Sequence, residues 1–341
     1  MRWDRLLACA AATAAFLTLA APAPAIPPPT SSCAVFPSNN AWHADVSGLA
    51  VHPRSNAWIN SMGGPARHLH PDFGPSDTAM PYGIPYIVVA GSHAKVPVSF
   101  DYDDESDAGP YPLGPETPIE GGAGASGDRH AIMIDRDTCT LYELYDTHYA
   151  AGGASTAGSG AIWSLNSNAL RPAGWTSADA AGLPIFAGLL RLDEVQAGLV
   201  DHAVRVTASQ TDRSYLWPAR HQAGAANDPN LPPMGARFRM KAGFNISSFR
   251  ADTQVVLRAF KRYGMIVADN GSNWYFQGTA ENGWPGDMLD ELKSIPASAF
   301  EAIDFSPLMV DPNSGAVRRL RGPWWRWPVR RAVSPFRYPG R

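Results

Sequence analysis

Residues 127–145, GDRHAIMIDRDTCTLYELY, are the clearest buried secondary structure in the chain and decide how the rest is read. An apolar run, 131–134, is followed by the polar break Asp135-Arg136-Asp137-Thr138. Residues 139–145 are then rich in the aromatic and β-branched side chains that favour strands. The pattern predicts a hairpin. Period two puts Cys139, Leu141, Glu143 and Tyr145 on one face of its second strand, and Thr140, Tyr142 and Leu144 on the other. Both faces are largely apolar, so this strand belongs in the middle of the molecule. Asp128, His130, Asp135 and Glu143 are therefore polar groups carried by a central element, which makes them candidates for chemistry.

Working outward, 83–90 (GIPYIVVA), 96–102 and 202–208 (HAVRVTA) read as strands, with a further short one at 215–218. Residues 55–62 and 192–197 read as short helices. A longer helix is expected at 251–263, where Val256, Phe260 and Tyr263 recur at helical spacing before Gly264 stops it. It feeds an apolar strand at 265–268, and a last helix spans 287–295. Thr176 or Ser177 can cap a short helical turn that carries Asp179. Many short strands joined by Gly/Pro turns predict a mainly β fold: two packed sheets of the sandwich or jelly-roll kind with a few peripheral helices. Regular strand–helix alternation in a parallel α/β sheet is the competing arrangement.

The composition fits one large globular domain: 341 residues, 45% hydrophobic and only 17% charged, with 31 Gly and 31 Pro. Residues 1–25 have a basic start at Arg2 and Arg5, an apolar stretch over 6–21 and a small-residue cleavage signature at Ala23-Pro24-Ala25. This is the pattern of a secretory signal peptide, which implies an exported protein, extracellular or periplasmic. Residues 26–32 form a Pro-rich linker, 33–311 the β-rich domain and 312–341 a basic, aromatic, disordered tail. No stretch is long and apolar enough for a membrane span. Once Cys9 leaves with the leader, Cys33 and Cys139 remain. They could pair in an oxidising compartment, or sit as two separate thiols.

Charge separates the tail from the body. The chain carries a net charge of -3. Residues 1–25 contribute two Arg and one Asp, and residues 312–341 contribute eight Arg and no acid, so the body alone carries -3 - 1 - 8 = -12. Such a body repels polyanions, so nucleic acid is not expected as a partner. The Arg/Trp tail suits contact with an anionic envelope surface.

Familiar catalytic signatures are missing: there is no G-x-S-x-G, H-E-x-x-H, P-loop or G-x-G-x-x-G, and no motif asks for a cofactor. Ser92-His93-Ala94-Lys95 matches S-x-x-K, but a strand follows where a helix is needed. His68, His70 and Asp72 have metal-ligand spacing without the His that completes it. The acidic loop at 101–109 mimics a calcium loop but has Ser106 where the tight-turn Gly belongs. No metal ligand is assigned.

What remains is a pattern of carboxylates, amides and tryptophans in Gly-rich loops. A pyranose ring stacks its C–H face on an aromatic, and its hydroxyls need Asp, Asn or Arg partners. Trp175, Arg220, His221, Asp269, Asn270 and Trp274 are the candidate substrate-binding residues on this reasoning. Trp274 is the expected stacking platform.

Four segments, GDRHAIMIDRDTCTLYELY, WTSADAAGLPI (175–185), DPNLPPMGARFRMKAGF (228–244) and ADNGSNWYFQG (268–278), resemble a family of secreted bacterial proteins of uncharacterised activity. The resemblance covers residues 35–305 and implies no fold, activity or catalytic residue. The expected function rests on the residues: a secreted carbohydrate-active enzyme acting on a polysaccharide or oligosaccharide, a glycoside hydrolase first. Such an enzyme needs two carboxyls facing one cleft, one held neutral as acid and one serving as base or nucleophile. Glu143, flanked by Leu141 and Tyr145, is the expected acid, with Asp128, Asp135, Asp179 and Asp269 competing for the other role. A polysaccharide lyase, using His130 or His221 as base and Arg220 to neutralise a uronate, is the second enzymatic reading. A non-catalytic carbohydrate-binding or cell-envelope protein is the third.

Overall fold

The computed structural model describes residues 27–77 and 80–318. The expected signal peptide and the arginine- and tryptophan-rich part of the expected tail lie outside the described residues. The fold is mainly β. Its strands in chain order are β1 (His70–Pro71), β2 (Tyr86–Val89), β3 (Val98–Phe100), β4 (Ala131–Asp135), β5 (Thr140–Tyr145), β6 (Ser155–Ala157) and β7 (Ser159–Ser164). They continue with β8 (Val204–Ala208), β9 (Asp212–Tyr215), β10 (Pro233–Met234), β11 (Arg237–Met240), β12 (Met265–Asn270), β13 (Tyr275–Phe276) and β14 (Phe300–Ile303). The α-helices among the described residues are α1 (Ser55–Ser61), α2 (Leu192–Ala197), α3 (Ala251–Arg262) and α4 (Gly286–Lys293).

The expected hairpin is β4–β5, paired antiparallel from Ala131 opposite Leu144 to Asp135 opposite Thr140. It forms the centre of a four-stranded sheet in the order β2-β4-β5-β7. A six-stranded sheet runs β1-β13-β8-β12-β11-β14, with β8 and β12 parallel at its middle. Two small pairs, β3-β6 and β9-β10, complete the strands. The short strand expected at 215–218 lies earlier, at β9, because Leu216 already accepts a turn hydrogen bond from the Ala219 N–H.

The central hairpin is covered on both faces, as its composition requires. Leu141, Ile132 and Ile134 join a core shared with Val204, Val206, Val267 and Phe276 of the larger sheet. On the opposite face Tyr142, Leu144, Ala131 and Met133 pack with Val98, Tyr111 and Leu113. The segment 177–190 passes through the shared core as an irregular strap, contributing Ala178, Ala181, Leu183, Ile185 and Phe186. Buried irregular backbone must find its own hydrogen bonds. Ala181 N–H donates to Ala268 O at 2.9 Å, Leu190 N–H to Gln277 O at 3.1 Å, and the Ser177 hydroxyl to the Asp179 and Leu183 carbonyls. The turn at Asp179 is thus built on a serine hydroxyl within an extended strap, with no helix.

Cys33 and Cys139 are joined in a disulfide, with Cα atoms 5.4 Å apart. It ties the start of the domain to the turn of the central hairpin. The domain also reaches past residue 311: Gly315 N–H donates to Asn168 O, Ala41 N–H to Gly315 O and Val317 N–H to Asn39 O. Residues 312–318 are therefore part of the folded body, and the domain boundary expected at 311 falls within it.

Candidate functional site

One end of the two principal sheets opens into a cavity of about 360 Å³ lined by Asp128, Tyr145, Ser177, His221, Asp269 and Asn270. Tyr102, Glu105, Ser159 and Thr176 complete its polar rim. Each wall comes from a different element. Asp128 precedes β4, and its carbonyl accepts the Asp146 N–H at 2.8 Å. Next to it, the Arg129 guanidinium gathers the carbonyls of Ala123, Ala125 and Thr147, which fixes the Gly-rich loop that leads into the hairpin. Tyr145 and Ser159 face each other where β5 ends and β7 begins. Asp269 and Asn270 end β12.

His221 is aimed by backbone alone. Its Nδ1 donates to Ala180 O at 2.9 Å, because a carbonyl oxygen can only accept, and its backbone N–H reaches Ala181 O at 3.2 Å. That bond leaves Nε2 as the ring nitrogen to meet a ligand. The close approach depends on Gly182, whose φ of +66° lies in the left-handed region and whose place would set a Cβ against the Trp175 carbonyl oxygen.

Behind the cavity lie two ion pairs. Arg205 on β8 grips Asp179 with two arms, Nε to Oδ2 at 3.0 Å and Nη2 to Oδ1 at 2.7 Å; the same Nη2 is 3.6 Å from Asp269 Oδ2. His130, just before β4, donates from Nδ1 to Glu120 Oε2 at 2.6 Å and from Nε2 to Ala178 O at 3.2 Å. Both acceptors can only accept, so His130 carries two protons. Burial opposes that charge but Glu120 outweighs it, raising the imidazole to about 9.

Asp269 is the unusual carboxyl of the cavity. Burial, then repulsion from Asp179, raises it to about 7 against the opposing pull of Arg205 and His130. Its side chain nevertheless keeps about a quarter of its surface, 24%, exposed, so a ligand can reach it. Tyr145 is raised too, first by burial and then by Asp128 and Asp146, and stays a neutral O–H donor at neutral pH.

The structure sorts the residues expected from sequence. Asp128, His221, Asp269 and Asn270 line one cavity, and Asp179 and His130 stand directly behind it. Asn270 braces rather than receives, since its amide already bonds the Thr211 hydroxyl and Ala223 O. Glu143 is fully buried outside the cavity lining. Its oxygens accept from the Ile185 and Phe186 N–H groups at 3.0 and 2.8 Å and from Trp163 Nε1 at 3.3 Å, so it anchors the strap to β5. Asp135 sits at the opposite end of β4 from Asp128 and closes the hairpin turn through the Asp137 and Thr138 N–H groups.

Arg220 turns away from the cavity to bond Arg171 O, Pro312 O and Asn313 Oδ1. Trp175 is half-buried against the Arg171 guanidinium, outside the lining. Trp274 is a correction to the expected sugar platform. It is 0% exposed and packs at 5.1 Å from Phe238 and 5.5 Å from Phe300. Its φ of +63° is the reason: the left-handed turn swings the side chain into the core.

Sequence reasoning missed Arg205, Glu120 and the rim pair Tyr102 and Glu105. Arg205 could have been found, because an arginine between Val204 and Val206 on an apolar strand must have buried acids to meet. Tyr102 and Glu105 were hidden in the acidic loop. Two further clefts meet at His70 and Lys293. They take in His68, His70 and Asp72, but His70 is stacked on Tyr275 at 4.0 Å. Among the described residues no group of three or more His, Cys, Asp or Glu side chains could hold a metal ion. Nor is any helix among them long and apolar enough to cross a membrane. Comparison with family models, curated proteins and solved structures finds no match for this chain.

Proposed function

We propose that the cavity is the active site of a secreted glycoside hydrolase that acts on uncharged glycans. The observation that carries this reading is that two carboxyls, Asp269 and Asp128, line one cavity, with burial raising Asp269 to about 7. In the proposed step Asp269 gives its proton to the departing glycosidic oxygen. Asp128 serves as base toward the attacking water, or as nucleophile at the anomeric carbon, as the glycosidic C–O bond breaks. Tyr145 offers a hydroxyl to the sugar, and Tyr102, 56% exposed, offers a ring face at the rim.

A lyase acting on uronates is less well supported. Arg220, expected to neutralise the uronate, is bonded elsewhere, and three cations beside the cavity, Arg205, His130 and Arg171, are already paired with Asp179, Glu120 and Asp107. The rim instead carries Glu105, Asp128 and Asp269, which repel an anionic sugar.

The test is reducing-end release from a panel of neutral oligosaccharides and polysaccharides. Asp269→Asn and Asp128→Asn should each lower kcat by roughly 10²- to 10⁴-fold with the melting temperature little changed. In the wild type, kcat/KM should fall as pH rises through about 7, where Asp269 loses its proton. No cleavage of any glycan, or an Asp269→Asn enzyme with full activity, would remove the proposal.

A further inference from the structure

We propose that Asp179 is the positioning residue of this cavity: by holding the Nε–Nη2 edge of Arg205 in two hydrogen bonds, it keeps that guanidinium from pairing directly with Asp269 and fixing its carboxyl as an anion. The inference rests on the reading of Asp269 as the acid and assigns the group that keeps it one. The geometry is asymmetric. Arg205 reaches Asp179 at 3.0 and 2.7 Å through two hydrogen bonds, but its nearest approach to Asp269 is 3.6 Å, beyond hydrogen-bond range. Arg205 still attracts Asp269 at that distance, but the carboxylate of Asp179, held closer to the same guanidinium, offsets that attraction and itself repels an ionised Asp269.

Every element around Asp269 contributes to this balance. The strap supplies Asp179, which is 0% exposed, and β8 supplies Arg205. From the residue before β4 comes the imidazolium of His130, whose charge is met by Glu120. Tyr145 at the end of β5 adds a neutral phenol, and Asp128 and His221 stand across the cavity. On β12 itself, the Asn270 N–H donates to Asp269 Oδ1 at 2.7 Å. Among the described residues, Asp179 is therefore the fully buried negative charge in contact with the arginine that Asp269 would otherwise claim. Its placement is rigid, because the Ser177 hydroxyl accepts the Asp179 N–H and Ala181 N–H is bonded to Ala268 O, beside Asp269 in the chain.

The ionisation of Asp269 can be followed without any substrate, by carboxyl ¹³C NMR of Asp-labelled protein with Asp269→Asn assigning the resonance. In Asp179→Asn the freed guanidinium should turn to Asp269, lowering its midpoint by a pH unit or more. The alkaline limb of kcat/KM should move down by the same amount while KM stays nearly constant. Arg205→Lys is the second variant. It keeps the charge on a shorter, single-point donor drawn to Asp179, and should move the Asp269 midpoint upward. A fall in melting temperature without either shift, in whichever variant folds, means that Asp179 and Arg205 are only a structural pair and overturns the proposal. If the midpoint shifts while the wild type cleaves no glycan, the clamp stands and the hydrolase reading fails. If cleavage depends on Asp269 but the limb stays in place in Asp179→Asn, the clamp alone fails.

Discussion

The imidazole of His130 is held 2.6 Å from the carboxylate of Glu120, one layer behind the cavity wall. Burial works against the charged imidazole, yet Glu120 raises it to about 9, and His130 in turn lowers Glu120 against its own burial. A histidine whose folded value is raised stabilises fully below its unfolded value near 6.5 and loses that contribution as pH climbs through about 9. The lowered Glu120 acts at the other end, losing its contribution as pH falls through the ordinary carboxylate range. The stability difference between wild type and His130→Gln should thus be largest near pH 6 and shrink by about 3 kcal/mol by pH 10. Denaturant titrations across that range give the answer; a difference that stays constant with pH would mean that the His130 imidazole is not held protonated by Glu120.

Glu143 gives a separation of roles. Burial raises it to about 7, while the Ile185 and Phe186 N–H groups and the Trp163 indole lower it. All three partners are donors, so an amide in its place would turn an NH2 toward an N–H. Glu143→Gln should destabilise the fold by about 1 to 3 kcal/mol and loosen the strap, while leaving the pH dependence of cleavage with Asp269. Thermal melting alongside a pH–rate profile separates the two. Loss of the limb near pH 7 in this variant would return the acid's role to Glu143.

How far the sequence foretold this site depends on what each residue's pattern reports. The two-faced burial of β5 was legible because period two is a local property: Leu141 and Glu143 face the shared core, and Tyr142 and Leu144 the other. Burial of an acid was equally legible at Glu143. What sequence could not show is which donors meet a buried acid, and here three backbone and indole N–H groups make it an anchor. Asp269 and Asp128 were named but lie 141 positions apart, and only the sheet topology brings β12 to the mouth of the hairpin. The tryptophans misled for a related reason. Composition says that a Trp lies in a loop, whereas a single backbone angle at Trp274 decides which way it points.

The Cys33–Cys139 link spans 106 positions and joins the first residues of the domain to the turn of its central hairpin. On the chain-entropy model a closure of that length contributes about 4 to 5 kcal/mol, mainly by restricting the unfolded chain. The double variant Cys33→Ser/Cys139→Ser should shift the denaturant midpoint down by an amount that corresponds to most of that figure. The wild type unfolded with a reductant present should match it. A variant as stable as the oxidised wild type would show that the bridge follows the fold without supporting it.

Trp274 should behave as core. The indole is sealed between Phe238 and Phe300, and its Nε1–H is without a hydrogen-bond partner in the structure. Replacing it with alanine removes the largest fully buried side chain among the described residues and leaves a cavity that the surrounding sheet cannot collapse to fill. The truncation should cost about 3 to 5 kcal/mol. Trp274→Phe should lose much less, because it keeps the ring contact and also removes the buried, unpaired N–H, which itself costs about 1 to 3 kcal/mol. The two variants therefore distinguish packing from ligand stacking. If Trp274→Phe melts near wild type, Trp274→Ala melts far below it, and glycan affinity of the folded Phe variant is unchanged, the side chain is structural. A tenfold loss of glycan affinity in Trp274→Phe at unchanged stability would instead restore it to the binding surface.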